Sequence, residues 1–273
     1  MLKRDLMILF ACLAMVAVAG CDDEEKVENR PFPERFKRYT VSDTAYGAAF
    51  AVVEDVDGDG HDDIVVSNYG EDIRKEPGFG SIFKGSGDLD NWVEEQYFGT
   101  DEGLQFPTHP NVADLDQDGD MDILLQGGFF LCIDCGFIAW FEQDGDAWVR
   151  HDIVPNGNKY WFHGAELADM DEDGILDMVT TAEQWDAEGK SENPQIYLGN
   201  DGPDRFETTP LELGIGLGSM PDVYDVDGDG DLDIASAEFF LPDEFLPFSF
   251  AWFEQTAPIS AENPAGLWGR NII

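Results

Sequence analysis

One aspartate-rich pattern, D-x-D-x-D-G-x-x-D followed by an apolar residue, occurs four times in this chain of 273 residues. The copies are Asp55, Asp57, Asp59, Gly60, Asp63; Asp114, Asp116, Asp118, Gly119, Asp122; Asp169, Asp171, Asp173, Gly174, Asp177; and Asp225, Asp227, Asp229, Gly230, Asp233. Their first aspartates lie 59, 55 and 56 residues apart. A fixed period of that size marks a repeat architecture in which each unit is one supersecondary element.

Carboxylates at alternate positions around a glycine turn suit a hard, oxygen-seeking cation such as calcium. The residues after each loop decide its type. An EF-hand places a bidentate Glu at loop position 12 and runs on into a helix. Position 12 here is Val66, Leu125, Thr180 or Ser236. Short runs such as Ile64-Val65-Val66 and Ile123-Leu124-Leu125 come directly after the loops and read as buried strand. The EF-hand is excluded, and the nine-residue repeat of calcium-binding β-helices has the wrong period.

Comparison among the four copies assigns roles. Position 6 is always glycine, as a turn at positive φ requires. Position 7 is His61, Asp120, Ile175 or Asp231; because isoleucine cannot be a side-chain ligand, this residue is expected to offer its backbone carbonyl. Positions 2 and 10 are apolar in every copy and pin the loop to a core. Positions 1, 3, 5 and 9 are always aspartate, and carboxylates so crowded repel unless a cation neutralises them. Four solvated Asp-Gly turns are the bland alternative, but turns alone do not demand four aspartates at fixed positions. About four Ca2+ ions are therefore expected.

A second periodicity runs beside the first. Phe36, Trp92, Trp148, Phe206 and Trp268, which read as marking the outer-strand segment of each unit, recur at spacings of 56, 56, 58 and 62. Ala139-Trp140-Phe141-Glu142-Gln143 returns as Ala251-Trp252-Phe253-Glu254-Gln255, with weaker counterparts Ser81-Ile82-Phe83-Lys84 and Gln195-Ile196-Tyr197-Leu198. Each unit reads as strand, Asp loop, strand, variable connection, strand, turn, strand. That is the signature of a β-propeller blade. The fold expected is all-β, a propeller of four or five four-stranded blades over residues 36–273, with 36–41 as an extra outer strand.

These segments resemble the FG-GAP and VCBS repeats, the propeller repeats also found in integrin α-subunits. Tyr46-Gly47-Ala48-Ala49 matches the FG half of the name, Ser67-Asn68-Tyr69-Gly70 replaces the GAP half, and the Ala-Trp-Phe-Glu-Gln and Trp-x-Arg segments look more like VCBS repeats. The resemblance implies one calcium per loop and, through relatives with polysaccharide lyase activity, an enzyme as the competing class. The family commonly closes seven blades; four loops are present here.

The N-terminus gives an address. Lys3 and Arg4 precede an apolar run from Leu6 to Ala19, and Val18-Ala19-Gly20-Cys21 resembles a bacterial lipobox. The run is shorter than the ~20 residues of a membrane span and suits a signal peptide, residues 1–20. Cys21 would then be lipidated and residues 21–35 would form an acidic tether to an envelope membrane, inner or outer. The net charge of −43 excludes nucleic acid as a partner. Cys132 and Cys135 are expected to form a local disulfide, with a half zinc site or a redox pair as the other options.

No catalytic motif is visible. His109 and His163 precede the second and third loops and could meet Asn111, Glu166 and Asp222 on a propeller axis. Trp161, Trp185 and Phe239-Phe240 fall on variable connections, where exposed rings could stack on sugars. The function expected is that of a lipid-anchored binding, adhesion or scaffold module for a protein or glycan at the envelope. A polysaccharide-active enzyme and a purely structural envelope protein are the alternatives.

Overall fold

A computed structural model describes residues 37–272 apart from 74, 130, 133, 187–188, 215–219, 238–249 and 261. The signal segment, Cys21, the tether, Phe36 and Phe239-Phe240 lie outside the described residues, as does the Trp185 side chain. The chain divides into Met1–Thr40 and Val41–Ile273. Within the described end of the first unit, the Lys37 ammonium sits 4.2 Å over the Tyr39 ring.

The second unit is built from four antiparallel sheets of four strands each, every sheet formed by consecutive strands. Sheet 1 contains β1 (Ala48–Glu54), β2 (Asp63–Asn68), β3 (Phe79–Lys84) and β4 (Val93–Phe98). Sheet 2 contains β5 (Asn111–Ala113), β6 (Asp122–Gly127), β7 (Gly136–Asp144) and β8 (Ala147–Asn158). Sheet 3 contains β9 (Trp161–Ala168), β10 (Asp177–Asp186), β11 (Gly189–Tyr197) and β12 (Leu211–Glu212). Sheet 4 contains β13 (Asp222–Tyr224), β14 (Asp233–Ala237), β15 (Phe250–Ala257) and β16 (Leu267–Ile272). One 3-10 turn, Thr100–Glu102, is the only helical element among the described residues. No described helix is long and apolar enough to cross a membrane.

In every sheet the Asp loop joins the first strand to the second. The second strand alternates its side chains between two neighbours, because successive residues point to opposite faces. Ile123 and Leu125 pack with Val65 and Ile82 of sheet 1. Leu124 and Trp140, from the other face, pack with Met178 and Tyr197 of sheet 3. Val179 and Ile196 then meet Ile234 and Phe253 of sheet 4. Four sheets thus enclose three intervening cores. The first strands keep the same order, with β1 beside β5, β5 beside β9, and β9 beside β13. No comparably extensive contact joins β13 to β1 among the described residues.

Two expectations need correction. Residues 37–41 form no strand, so the extra outer strand is not seen in the described part of 36–41. Phe206 makes only an isolated bridge with Gly199, and the outer strand of sheet 3 lies further on at β12. The turn ahead of it is longer than in the other repeats, so the ring at the repeat position is buried without belonging to a strand.

Candidate metal centre

Each Asp loop folds by bonding to itself. The position-1 carboxylate accepts the backbone N–H of the position-6 glycine at 2.9–3.2 Å: Asp55 from Gly60, Asp114 from Gly119, Asp169 from Gly174 and Asp225 from Gly230. The position-3 carboxylate accepts the N–H of position 5, and the position-5 carboxylate accepts the N–H of position 7. These aspartates therefore shape the turn that presents them. The position-6 glycines lie at φ 88–103°, the left-handed region. Position 4 is left-handed as well, at Gly58, Gln117, Glu172 and Gly228, with φ between 61 and 82°. Sequence reasoning missed this position; glycine in two of the four copies was the available signal.

Position 9 is built differently. Asp63, Asp122, Asp177 and Asp233 are at most 1 % exposed. One oxygen of each accepts the N–H of loop position 2, from Val56, Leu115, Met170 or Val226. The other accepts an N–H at or just past the end of the third strand, from Gly85, Gln143, Gly199 or Gln255. A single carboxylate so clamps the start of the loop to the far side of its sheet. Burial pushes the Asp63 carboxyl up, that of Asp122 to about 6 and that of Asp177 to about 7, against the lowering effect of those N–H donors.

Carboxylate oxygens converge within 4.8 Å of one another in each loop. In the first three the group comprises positions 1, 3 and 9: Asp55, Asp57, Asp63; Asp114, Asp116, Asp122; and Asp169, Asp171, Asp177. In the fourth it comprises positions 1, 3 and 5, Asp225, Asp227 and Asp229. The side chains of Asp59, Asp118 and Asp173 stand outside the three-membered groups, as does Asp233. So do the position-7 side chains of His61, Asp120, Ile175 and Asp231. These clusters could hold a metal ion through hard oxygen donors.

His109, Asn111, His163, Glu166 and Asp222 lie on or just before the first strands of sheets 2, 3 and 4. His109 lies edge-on to Phe50, with ring centroids 6.3 Å apart. His163 lies against Phe129 and 4.0 Å from the Glu183 carboxylate. Glu166 is raised by burial and by the charge of Asp222. Trp161 is not an exposed ring: it is 7 % accessible and its indole N–H donates to the Cys132 carbonyl. Cys132 and Cys135 form a disulfide in the connection between β6 and β7, beside Phe106 and Trp161.

Four consecutive four-stranded sheets with an Asp loop at each first turn define a propeller-type repeat protein. Residues 55–125, from the first loop to the strand after the second, match the model of the FG-GAP-like repeat. Comparison with curated proteins gives no match. Among solved structures the chain is similar to one titled "Crystal structure of a thermostable family-43 glycoside hydrolase", with a TM-score of 0.44 and 9 % identity over 83 % of this chain and 72 % of that one.

Proposed function

We propose that the protein is a calcium-stabilised, lipid-anchored binding module of the cell envelope. The observation that carries this is the convergence of three carboxylates in every loop, repeated four times. Two ligands on opposite sides of one ion at a calcium–oxygen distance of about 2.4 Å lie about 4.8 Å apart, and the donor atoms of each group lie within that distance of one another, so one ion could touch all three. Positions 1 and 3 would supply side-chain ligands throughout, joined by position 9 in the first three loops and position 5 in the fourth. The position-7 carbonyl would add a backbone oxygen. The metal supplies charge neutralisation and a cross-link within the sheet, and the chain supplies the preformed turn. Four bound ions would change the net charge from −43 to −43 + 8 = −35, still strongly acidic.

Thermal unfolding in calcium, in magnesium and in chelator tests the metal. Calcium at 100 times its Kd should add about 2.7 kcal/mol per filled site. An unchanged melting temperature after chelation would remove calcium from the reading. The anchor is tested by Cys21→Ser, which should release the protein from the membrane fraction. The partner, a protein or a glycan, is sought with a glycan array and an envelope pull-down of the calcium-loaded domain.

A further inference from the structure

The four loops do not share one electrostatic setting, and the difference arises at one repeat position. Phe83, Phe141, Tyr197 and Phe253 pair with the residue just after the last aspartate of each loop. The next residue on that strand, or just past its end, is Lys84, Glu142, Leu198 or Glu254. Lys84 Nζ lies 3.7 Å from Asp57 Oδ2, a member of the first carboxylate group, and 2.8 Å from Glu95 Oε2. The Glu95 carboxylate is fixed in turn by the Trp148 indole N–H at 2.8 Å. Glu142 is turned to His151 at 2.6 Å, Leu198 packs against the core between sheets 3 and 4, and Glu254 accepts the Asn271 amide at 2.9 Å. Arg205 Nη2 approaches the second group at 4.0 Å from Asp116 Oδ2. Among the described residues Asp171 and Asp227, the corresponding members of the third and fourth groups, make no ion pair within 4.0 Å.

We propose that Lys84 is a tethered ammonium competing with the metal for Asp57, so that the first loop is the weakest of the four and the last to fill. A divalent ion entering this loop must displace an ammonium that the other three lack at the equivalent position. Glu95 sets how hard Lys84 competes, because it offers the ammonium a second and closer carboxylate. Arg205 places the second loop next in order. The inference rests on reading the loops as metal sites, and it concerns their ranking.

Calcium titration of the intact protein by calorimetry tests it. Lys84→Gln should strengthen the weakest step by about two- to fivefold, the range expected for a partly exposed charge pair. Glu95→Gln should weaken the same step, since Lys84 then has Asp57 as its remaining carboxylate. Damage to the sheet would weaken binding in both variants, so opposite signs exclude it, and the coupling to Asp57 then separates direct competition from the general field of the two charges. In an Asp57→Asn background the Lys84→Gln effect should vanish. Binding that is intact in the wild type and unmoved or weakened by Lys84→Gln, or strengthened by Glu95→Gln, would overturn the proposal alone. No heat of calcium binding in any variant would overturn it together with the metal reading.

Discussion

Sheets 2 and 4 carry the same five residues, Ala139–Gln143 and Ala251–Gln255, yet the two copies have different surroundings. Phe141 and Phe253, which face the preceding sheet, are equally buried at 1 % and 2 %. The tryptophans, facing the other way, differ. Trp140 is 1 % exposed, packed into the core with sheet 3 and stacked on His151 at 4.4 Å. Trp252 is only half-buried. Identical local sequence gives the same strand pairing, Trp140 opposite His151 and Trp252 opposite Asn271; burial is then decided by which sheet comes next. Trp140→Ala should accordingly cost about 3–5 kcal/mol, and Trp252→Ala no more than about half as much, in urea unfolding of the calcium-loaded domain. Equal losses would break the contrast and mean that the outer face of sheet 4 is covered in solution.

The Asp loops extend the comparison to pH. Asp122 of sheet 2 and Asp177 of sheet 3 have carboxyls raised by burial to about 6 and about 7, from an ordinary 3.8. A raised acid favours the folded state in its protonated form. Its contribution is full below about pH 4 and is lost as pH rises through 6 and 7. The metal-free protein should therefore melt higher at pH 5 than at pH 7.5. Bound metal favours the ionised carboxylates, so the order should reverse in calcium. Asp122→Asn should flatten the metal-free profile, and an unaltered profile would show that Asp122 does not titrate in this range.

Much of this was legible in the sequence because it is local or periodic. The order strand, loop, strand, the left-handed glycine at position 6, and the apolar pins at position 10 and, in the first three loops, at position 2 come from a few adjacent residues; in the fourth loop Val226 is 39 % exposed and pins nothing. The clamp by position 9 does not: its second donor lies 21 or 22 residues along the chain, on the third strand or just past it, and is found only once the register is known. Gln143 and Gln255 stood inside a repeated motif, but a backbone N–H leaves no mark on side-chain identity. The burial of Trp161 was hidden for a related reason. It comes from Phe106 and Cys135, which precede it by tens of residues and meet it only in the folded chain. The displaced outer strand of sheet 3 escaped notice because a buried ring such as Phe206 serves equally well in a strand or in the turn before it.

The smallest effect expected separates backbone from cation. Position 4 is Gln117 in the loop of sheet 2 and Gly228 in that of sheet 4, both left-handed at φ 62 and 82°. A side chain in that conformation costs about 1 kcal/mol, and glycine gives back about half of that through the freedom it adds to the unfolded chain. Gln117→Gly should therefore stabilise by about 0.5 kcal/mol. Gly228→Ala should destabilise by a similar amount, purely through its backbone, since a Cβ there would touch nothing within 4 Å. Both shifts should appear with and without calcium, because neither residue supplies a carboxylate to its group. If Gln117→Gly is stabilising only when calcium is present, the turn in sheet 2 is set by the ion. The strained backbone would then be a property of the loaded loop, and the four turns would not be preformed.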